Sequence, residues 1–289
     1  MVTEKISDTY HVIHFDNGDT IHLVGTAHVS NQSVEEVRSI IEDQHPDRVC
    51  IELDDGRMKS KTQDKSWENM DIKKILKDGK GFLLLANTAL ASFQKRMGAQ
   101  TGADPGAEIV GAAKLASEMG IPVSLCDREI QTTFRRAWVK SSLWNKCKLL
   151  ATLISAAVSQ EEISEEELAE LKNEETLESM MKEVAKELPS VKEVLIDERD
   201  RYLATSIFKA EGKTKVAVIG AGHTQGIIRT FDKLEKGELS LDTSDLTEIP
   251  PKGIGGKIAQ WVIPTLIVLL VVLGIAVNGW DQGIKAFLW

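Results

Sequence analysis

The sequence predicts an α/β fold: an open mixed sheet flanked by helices, with a helical insertion and a C-terminal transmembrane helix. Three observations predict it. Short apolar runs alternate with segments of helical periodicity, the succession that builds an open sheet covered by helices. The runs end in glycine turns or charged clusters, and open α/β sheets place ligands beyond the carboxyl ends of their strands. An almost wholly apolar stretch from Ile258 to Val277 matches the thickness of a bilayer core.

Tyr10–Phe15 and Thr20–Gly25 read as two strands joined through Asp16-Asn17-Gly18-Asp19, where Asn-Gly is the pair a type I′ hairpin favours. The second strand runs into Gly25-Thr-Ala-His-Val-Ser30. Ser30 or Asn31 can cap the helix that follows, whose Val34, Val37, Ile40 and Ile41 fall on one face. That helix stops before His45-Pro46, and Arg48–Asp54 forms the next strand, so strand, helix and strand make a βαβ unit. Trp67–Gly120 reads as mostly helical, apolar over Gly81–Met97 and periodic over Gly106–Met119. A fourth strand, Ile121–Cys126, ends in Asp127-Arg128-Glu129.

Residues 130–211 read as a helical insertion. Its first part carries Arg135, Arg136, Lys140, Lys146 and Lys148, interleaved with Phe134, Trp138 and Trp144. Such a stretch either lies on a membrane surface or packs its basic face against an acidic neighbour. Gln160 to Glu187 is strongly acidic, with Ser164-x-x-Glu167 as a capping box, and reads as a solvated face. Ser190–Glu211 is a further helix, carrying Asp197-Glu-Arg-Asp-Arg201. Lys215–Ile219 is the last strand, and a helix over Thr224–Leu234 closes a domain spanning residues 1–236. Residues 237–257, with Pro250-Pro251, Gly253, Gly255 and Gly256, read as a linker. Residues 258–289 are the membrane anchor, with Trp261 and Trp280 at the positions of interfacial aromatics.

Composition narrows the function. A chain with 42% hydrophobic and 27% charged residues is built to fold. Its net charge of −9 argues against nucleic acid as the main partner, because phosphate binding needs a basic surface. Cys50, Cys126 and Cys147 show no CxxC spacing and read as free thiols of a reducing compartment. Met1–Tyr10 lacks the apolar centre of a secretory signal. Lys252 and Lys257 precede the apolar span and Lys285 follows it, a slight bias toward a cytosolic catalytic domain.

Of the six histidines, only His28 and His223 share one local grammar: apolar strand, Gly, two small residues, His, then a helix. Glycine lets the backbone turn sharply, and the histidine is held on a rigid element, suited to ligating a metal or moving a proton. Two imidazoles need a third, commonly carboxylate, ligand and an open position for water. Glu52 is the candidate, since it ends the strand read as the neighbour of the one leading to His28. Asp54, Glu108, Asp127 and Glu198 are candidates for a base or a further ligand. Arg57, Arg128, Arg135 and Arg201 can hold a carboxylate or an oxyanion. HExxH, GxSxG and P-loop motifs are absent from the sequence.

Taken together, Ile21–Ser30, Cys50–Asp54 with Arg57, Pro105–Glu108, Leu125–Arg128 with Arg135, Asp197–Arg201 and Val218–His223 resemble the TraB/PrgY pheromone-shutdown family over roughly residues 10–235. The resemblance implies kinship with the membrane-tethered Tiki metalloproteases and with the erythromycin esterase/ChaN-like α/β fold. It implies a hydrolytic, peptide-directed site in which His28, Glu52 and His223 hold a divalent transition metal, manganese foremost, with cobalt or zinc as alternatives. Glu52, Glu108 and Glu198 would then carry catalysis with Arg128, and Arg57, Arg135 and Arg201 would bind substrate. Members of the family usually end in several membrane spans, whereas this sequence shows one clear span. The expectation is a membrane-anchored metal-dependent protease or peptidase whose partners are a peptide or protein substrate and the lipid bilayer. The alternative is a non-enzymatic peptide-binding or sequestering membrane protein, and a homo-oligomer is left open.

Overall fold

The computed structural model describes residues 1–26, 31–62, 82, 85–89, 91–92, 106–158 and 174–251. Six strands form one sheet: β1 (Val2–Lys5), β2 (Tyr10–His14), β3 (Thr20–Thr26), β4 (Arg48–Ile51), β5 (Val123–Leu125) and β6 (Thr214–Gly220). Their spatial order is β1-β2-β3-β6-β4-β5. The first three strands are antiparallel, and β3, β6, β4 and β5 run parallel. The sheet is therefore mixed, as the sequence predicts. One neighbour relation differs: β6 lies between β3 and β4, so β4 does not adjoin the strand that leads to His28.

Period-two alternation divides the core into two layers. On one face Ile21, Leu23, Ala217 and Ile219 pack with Ile13, Phe15, Leu203, Ile207, Ile227 and Phe231. On the other, Val24, Val49, Ile51, Val216 and Val218 meet Val37, Ile41, Ile109 and Ala116. Strands buried on both faces read as continuous apolar runs, which is why β3, β4 and β6 stand out in the sequence. Strand β1, by contrast, is exposed along its whole length and has no apolar periodicity, so sequence patterning misses it.

The helices α1 (Asn31–Gln44), α2 (Asp55–Thr62) and α3 (Ala107–Glu118) pack on the second of these faces. Helix α1 ends at His45, whose φ of 40° breaks the helical run ahead of Pro46. The described residues of the insertion are mainly helical, with α4 (Ile130–Lys140), α5 (Leu143–Val158), α6 (Glu174–Glu187) and α7 (Pro189–Lys192). A π-helical turn over Glu193–Asp197 then feeds α8 (Glu198–Lys209). After β6, a 3₁₀ turn over Ala221–His223 starts α9 (Thr224–Glu235), and α10 (Ser244–Thr247) follows.

The β2–β3 connection spans residues 15–19, closed by bonds from the Phe15 amide to the Asp19 carbonyl and the Gly18 amide to the Phe15 carbonyl. Only Gly18 there has a positive φ, 87°, so the expected two-residue type I′ turn is replaced by a longer loop with glycine in the left-handed position.

Two lysines of the basic stretch meet acidic neighbours, as the second of its two readings expects. Lys140 pairs with Glu193 and Glu198, Lys148 with Glu187, and Lys146 sits 5.5 Å over the Trp138 ring. Leu143 and Trp144 remain exposed. Among the described residues no helix is long and apolar enough to cross a membrane. The expected span 258–277 and the whole of 258–289 lie outside the described residues, as does much of the helical segment expected over Trp67–Gly120.

Candidate active site at the carboxyl edge of the sheet

The parallel registers bring three strand ends together. Thr26 of β3 lies beside Gly220 of β6, and Ile51 of β4 lies beside Val218 of β6. The strand ends that open the two Gly-x-x-His motifs therefore lie side by side, with Glu52 on the far flank of the second. Gly25 is required sterically: a Cβ there would stand 2.5 Å from the Thr224 hydroxyl and 3.2 Å from the Ala221 backbone. Glu52 is tied across the strands, its amide donating to the Val218 carbonyl at 3.0 Å and its Oε2 accepting the Gly220 amide at 2.6 Å. His28 lies outside the described residues.

His223 is buried at the start of α9. Its Nδ1 lies 2.6 Å from Oδ1 of Asp200 on α8, and its Nε2 lies 3.0 Å from Nη1 of Arg199 and 3.7 Å from Oε1 of Glu52. A guanidinium is always a donor and never an acceptor. Nε2 must therefore accept, so Nδ1 carries the proton and donates it to Asp200. The ring is in the tautomer whose Nε2 lone pair faces the site. Gly226 makes this possible, because any Cβ there would occupy the space of the Asp200 carboxylate.

Arg199 links the remaining groups. Its Nη2 bonds both Glu52 and Asp127, the latter at 2.6 Å, and its Nε bonds Asp127 again at 3.2 Å. Asp127 also accepts from Arg57, which reaches back to Asp54. Burial works to lower the Arg199 pKa, yet the adjacent Asp127 and Glu52 carboxylates overcome it and raise it. Burial likewise pushes the Asp127 carboxyl up, but Arg199 and Arg57 hold it below its ordinary value. Burial raises Asp200, only partly offset by its bond to His223. Glu52, Asp54 and Asp127 against Arg57 and Arg199 give a formal charge of −3 + 2 = −1.

The other expected residues divide into two sets. Glu108 is buried in the first turn of α3 and accepts the Thr26 hydroxyl at 3.1 Å, which brings it to the end of β3. Glu198 faces the other way: it accepts from Arg136 through both oxygens at 2.8 Å, from Lys140 at 2.6 Å and from Arg128 at 2.7 Å. These cations outweigh the effect of its burial and hold its pKa at about 2, so at neutral pH it is a fixed anion and a poor proton carrier. Arg128 is spent on Glu198, Thr133 and the carbonyls of Val194 and Leu246. Arg136 reaches the Glu248 carbonyl, and Arg201 holds Asp245 and the Asp242 carbonyl. These arginines fasten residues 242–248, within the expected linker, to the domain. Arg135 is exposed on α4.

Two members of the site, Arg199 and Asp200, are absent from the expected set. The signal nearest to them is the π-helical turn just before α8, since such turns recur at functional sites. As they stand, no three His, Cys, Asp or Glu side chains among the described residues are grouped to hold an ion. The chemistry of the donors still fits one. A histidine whose Nδ1–H is held by a carboxylate is the usual metal-ligating arrangement. Adjacent donors on one divalent ion, each about 2.0–2.2 Å from it, lie about 3.0–3.5 Å apart, a little short of the His223–Glu52 separation of 3.7 Å.

A profile of the TraB/PrgY/gumN family matches residues 11–242. An uncharacterised protein of Methanocaldococcus jannaschii is 37% identical over 232 residues, covering 79% of this chain and 57% of that protein. The chain thus spans little more than half the length of that relative. TraB domain-containing proteins of Bos taurus and Homo sapiens are 27% and 26% identical, over 86% of this chain and 70% of theirs.

Proposed function

Because this chain belongs to the TraB/PrgY/gumN family, we propose that it is a membrane-anchored, metal-dependent hydrolase, a peptidase cleaving a peptide or a membrane-proximal segment. The observation that supports this reading is the line Asp200–His223–Glu52, in which Nδ1 of His223 is held by Asp200 and Nε2 lies 3.7 Å from the carboxylate that follows the neighbouring strand. His28, Glu52 and His223 would hold the ion, manganese foremost, with cobalt or zinc as alternatives. When bound, it supplies Lewis acidity and a lowered water pKa for attack on an amide.

The chain's own residues have separate tasks in this reading. Asp200 fixes the tautomer and direction of His223. Glu108, buried beside Thr26, moves the proton from water to the departing amine. Arg57, the more exposed of the two site guanidiniums, holds a substrate carboxylate or carbonyl. Glu198, Arg128 and Arg136 keep α8 in place against α4. The apolar residues 258–277 hold the domain at a bilayer, which suits a membrane-proximal substrate.

The test is metal content and peptide hydrolysis of the purified full chain, beside His28→Ala and His223→Ala. A stoichiometric transition metal, with hydrolysis lost in each variant, is the expected result. Full hydrolysis in either variant overturns the mechanism. Absence of metal together with tight peptide binding replaces it with peptide capture.

A further inference from the structure

The guanidinium of Arg199 touches the same two atoms that a metal ion at this site would need. Nη1 sits 3.0 Å from His223 Nε2, and Nη2 bonds the Glu52 carboxylate oxygen that faces it. The same Nη2 also neutralises Asp127, whose side chain is completely buried. A guanidinium and a divalent ion cannot share one nitrogen lone pair, and two cations within contact distance repel strongly in a poorly screened interior. The two are therefore alternatives. With Arg199 in place, the −1 cluster of Glu52, Asp54, Asp127, Arg57 and Arg199 is nearly balanced. Without it, the cluster carries −3 + 1 = −2, a deficit that a divalent ion fills.

We propose that Arg199 is a built-in cation that occupies the metal-facing atoms of His223 and Glu52 in the metal-free protein and must withdraw from them for a divalent ion to bind. The proposal rests on the metal-dependent reading above. Arg199 begins at the second residue of α8, one position after Glu198, which is clamped by three cations. The helix is thus fixed, and the exchange is a side-chain movement. The arrangement keeps the site folded while empty and makes occupancy respond to the ion concentration. The resident guanidinium lowers apparent affinity by the fraction of molecules it closes.

Titration calorimetry with Mn²⁺ on the full chain tests this, using wild type, Arg199→Gln and Arg57→Gln. The Arg57 variant removes a positive charge from the same carboxylates without touching His223 or Glu52. The expected result is Mn²⁺ binding tightened about tenfold or more by Arg199→Gln, with a clearly smaller gain in Arg57→Gln. Metal-free Arg199→Gln should also melt lower than wild type and recover more on Mn²⁺ addition. If wild type binds Mn²⁺ and Arg199→Gln binds it no more tightly, or Arg57→Gln gains as much, the exchange is wrong while the metal site stands. If neither wild type nor Arg199→Gln binds Mn²⁺, the metal-dependent reading itself falls. Should Arg199→Gln fail to fold, Arg199→Lys keeps the charge but loses the planar fork. A smaller tightening is then expected, and unchanged or weaker binding overturns the proposal.

Discussion

His223 Nδ1 and Asp200 Oδ1 lie 2.6 Å apart, and this bond decides which face of the imidazole is available to the site. Replacing Asp200 by Asn removes the charge and lets the amide donate to Nδ1, which would move the proton to Nε2 and block it. Asp200→Asn should weaken metal affinity about 10- to 100-fold, with a comparable loss in hydrolysis. Mn²⁺ titration checks the first and peptide turnover the second. Wild-type affinity in this variant would show that Asp200 does not set the tautomer.

Gly226 matters for the same pair from the other side. A methyl group at that position overlaps the Asp200 carboxylate, and α9 cannot retreat because Ile227 and Phe231 on the same helix are fully buried. Gly226→Ala should cost about 1–3 kcal/mol of stability in chemical denaturation, the usual range for overpacking. It should also copy the metal-binding defect of Asp200→Asn. A variant as stable as wild type would mean that Asp200 relaxes without loss.

Much of the fold is legible in the sequence for a simple reason. Strands β3, β4 and β6 are buried on both faces, so they appear as uninterrupted apolar runs, and the glycine–histidine turns mark where two of them end. Arg199 and Asp200 are not legible. They lie within Asp197-Glu-Arg-Asp-Arg201, where every position is charged and no apolar stripe says which side faces inward. Successive helical residues point about 100° apart. Glu198 therefore meets Arg128 and Arg136, Arg199 meets Glu52, and Asp200 meets His223, all partners distant in sequence. The order of β6 between β3 and β4 is hidden likewise, because it is set by crossover connections. The arginines Arg128 and Arg201 look like substrate ligands in one dimension. In three, they grip residues 242–246.

Acid should weaken the fold in part through Glu198. Its folded-state pKa of about 2 is below its ordinary 4.5, so its stabilising effect is complete above about pH 4.5 and is lost as pH falls toward 2. The shift corresponds to about 3 kcal/mol. Asp200, whose pKa is raised, contributes with the opposite sign, so the comparison must be made against a variant. Glu198→Gln should be less stable at pH 7 by about 3–5 kcal/mol, because it leaves buried guanidiniums without their counter-charge. The gap to wild type should narrow between pH 4.5 and 2 in denaturant melts. A gap constant with pH would refute the clamp.

Membrane attachment is tested within residues 258–277. Arginine at the centre of an apolar span costs about 2.5–3.5 kcal/mol per residue on insertion. Leu269→Arg combined with Val272→Arg should shift the full chain from the alkali-resistant membrane fraction to the supernatant. Thermal melting of the domain should not change. Retention of the double variant in the membrane would place the anchor elsewhere, with exposed Leu143 and Trp144 the next surface to test.

Glu108 separates a proton carrier from a structural carboxylate. Glutamine keeps the shape and an oxygen that accepts the Thr26 hydroxyl, so Glu108→Gln should fold as wild type does. It cannot exchange a proton at neutral pH. If Glu108 serves the departing amine, turnover should fall about 10²- to 10⁴-fold with metal affinity retained, and the loss should be smaller for ester substrates, whose leaving groups need less protonation. Glu108 is buried in the first turn of α3, where the helix dipole favours its ionised form, and that opposes service as an acid. Equal turnover in Glu108→Gln and wild type would leave Glu108 as the residue that holds the end of β3.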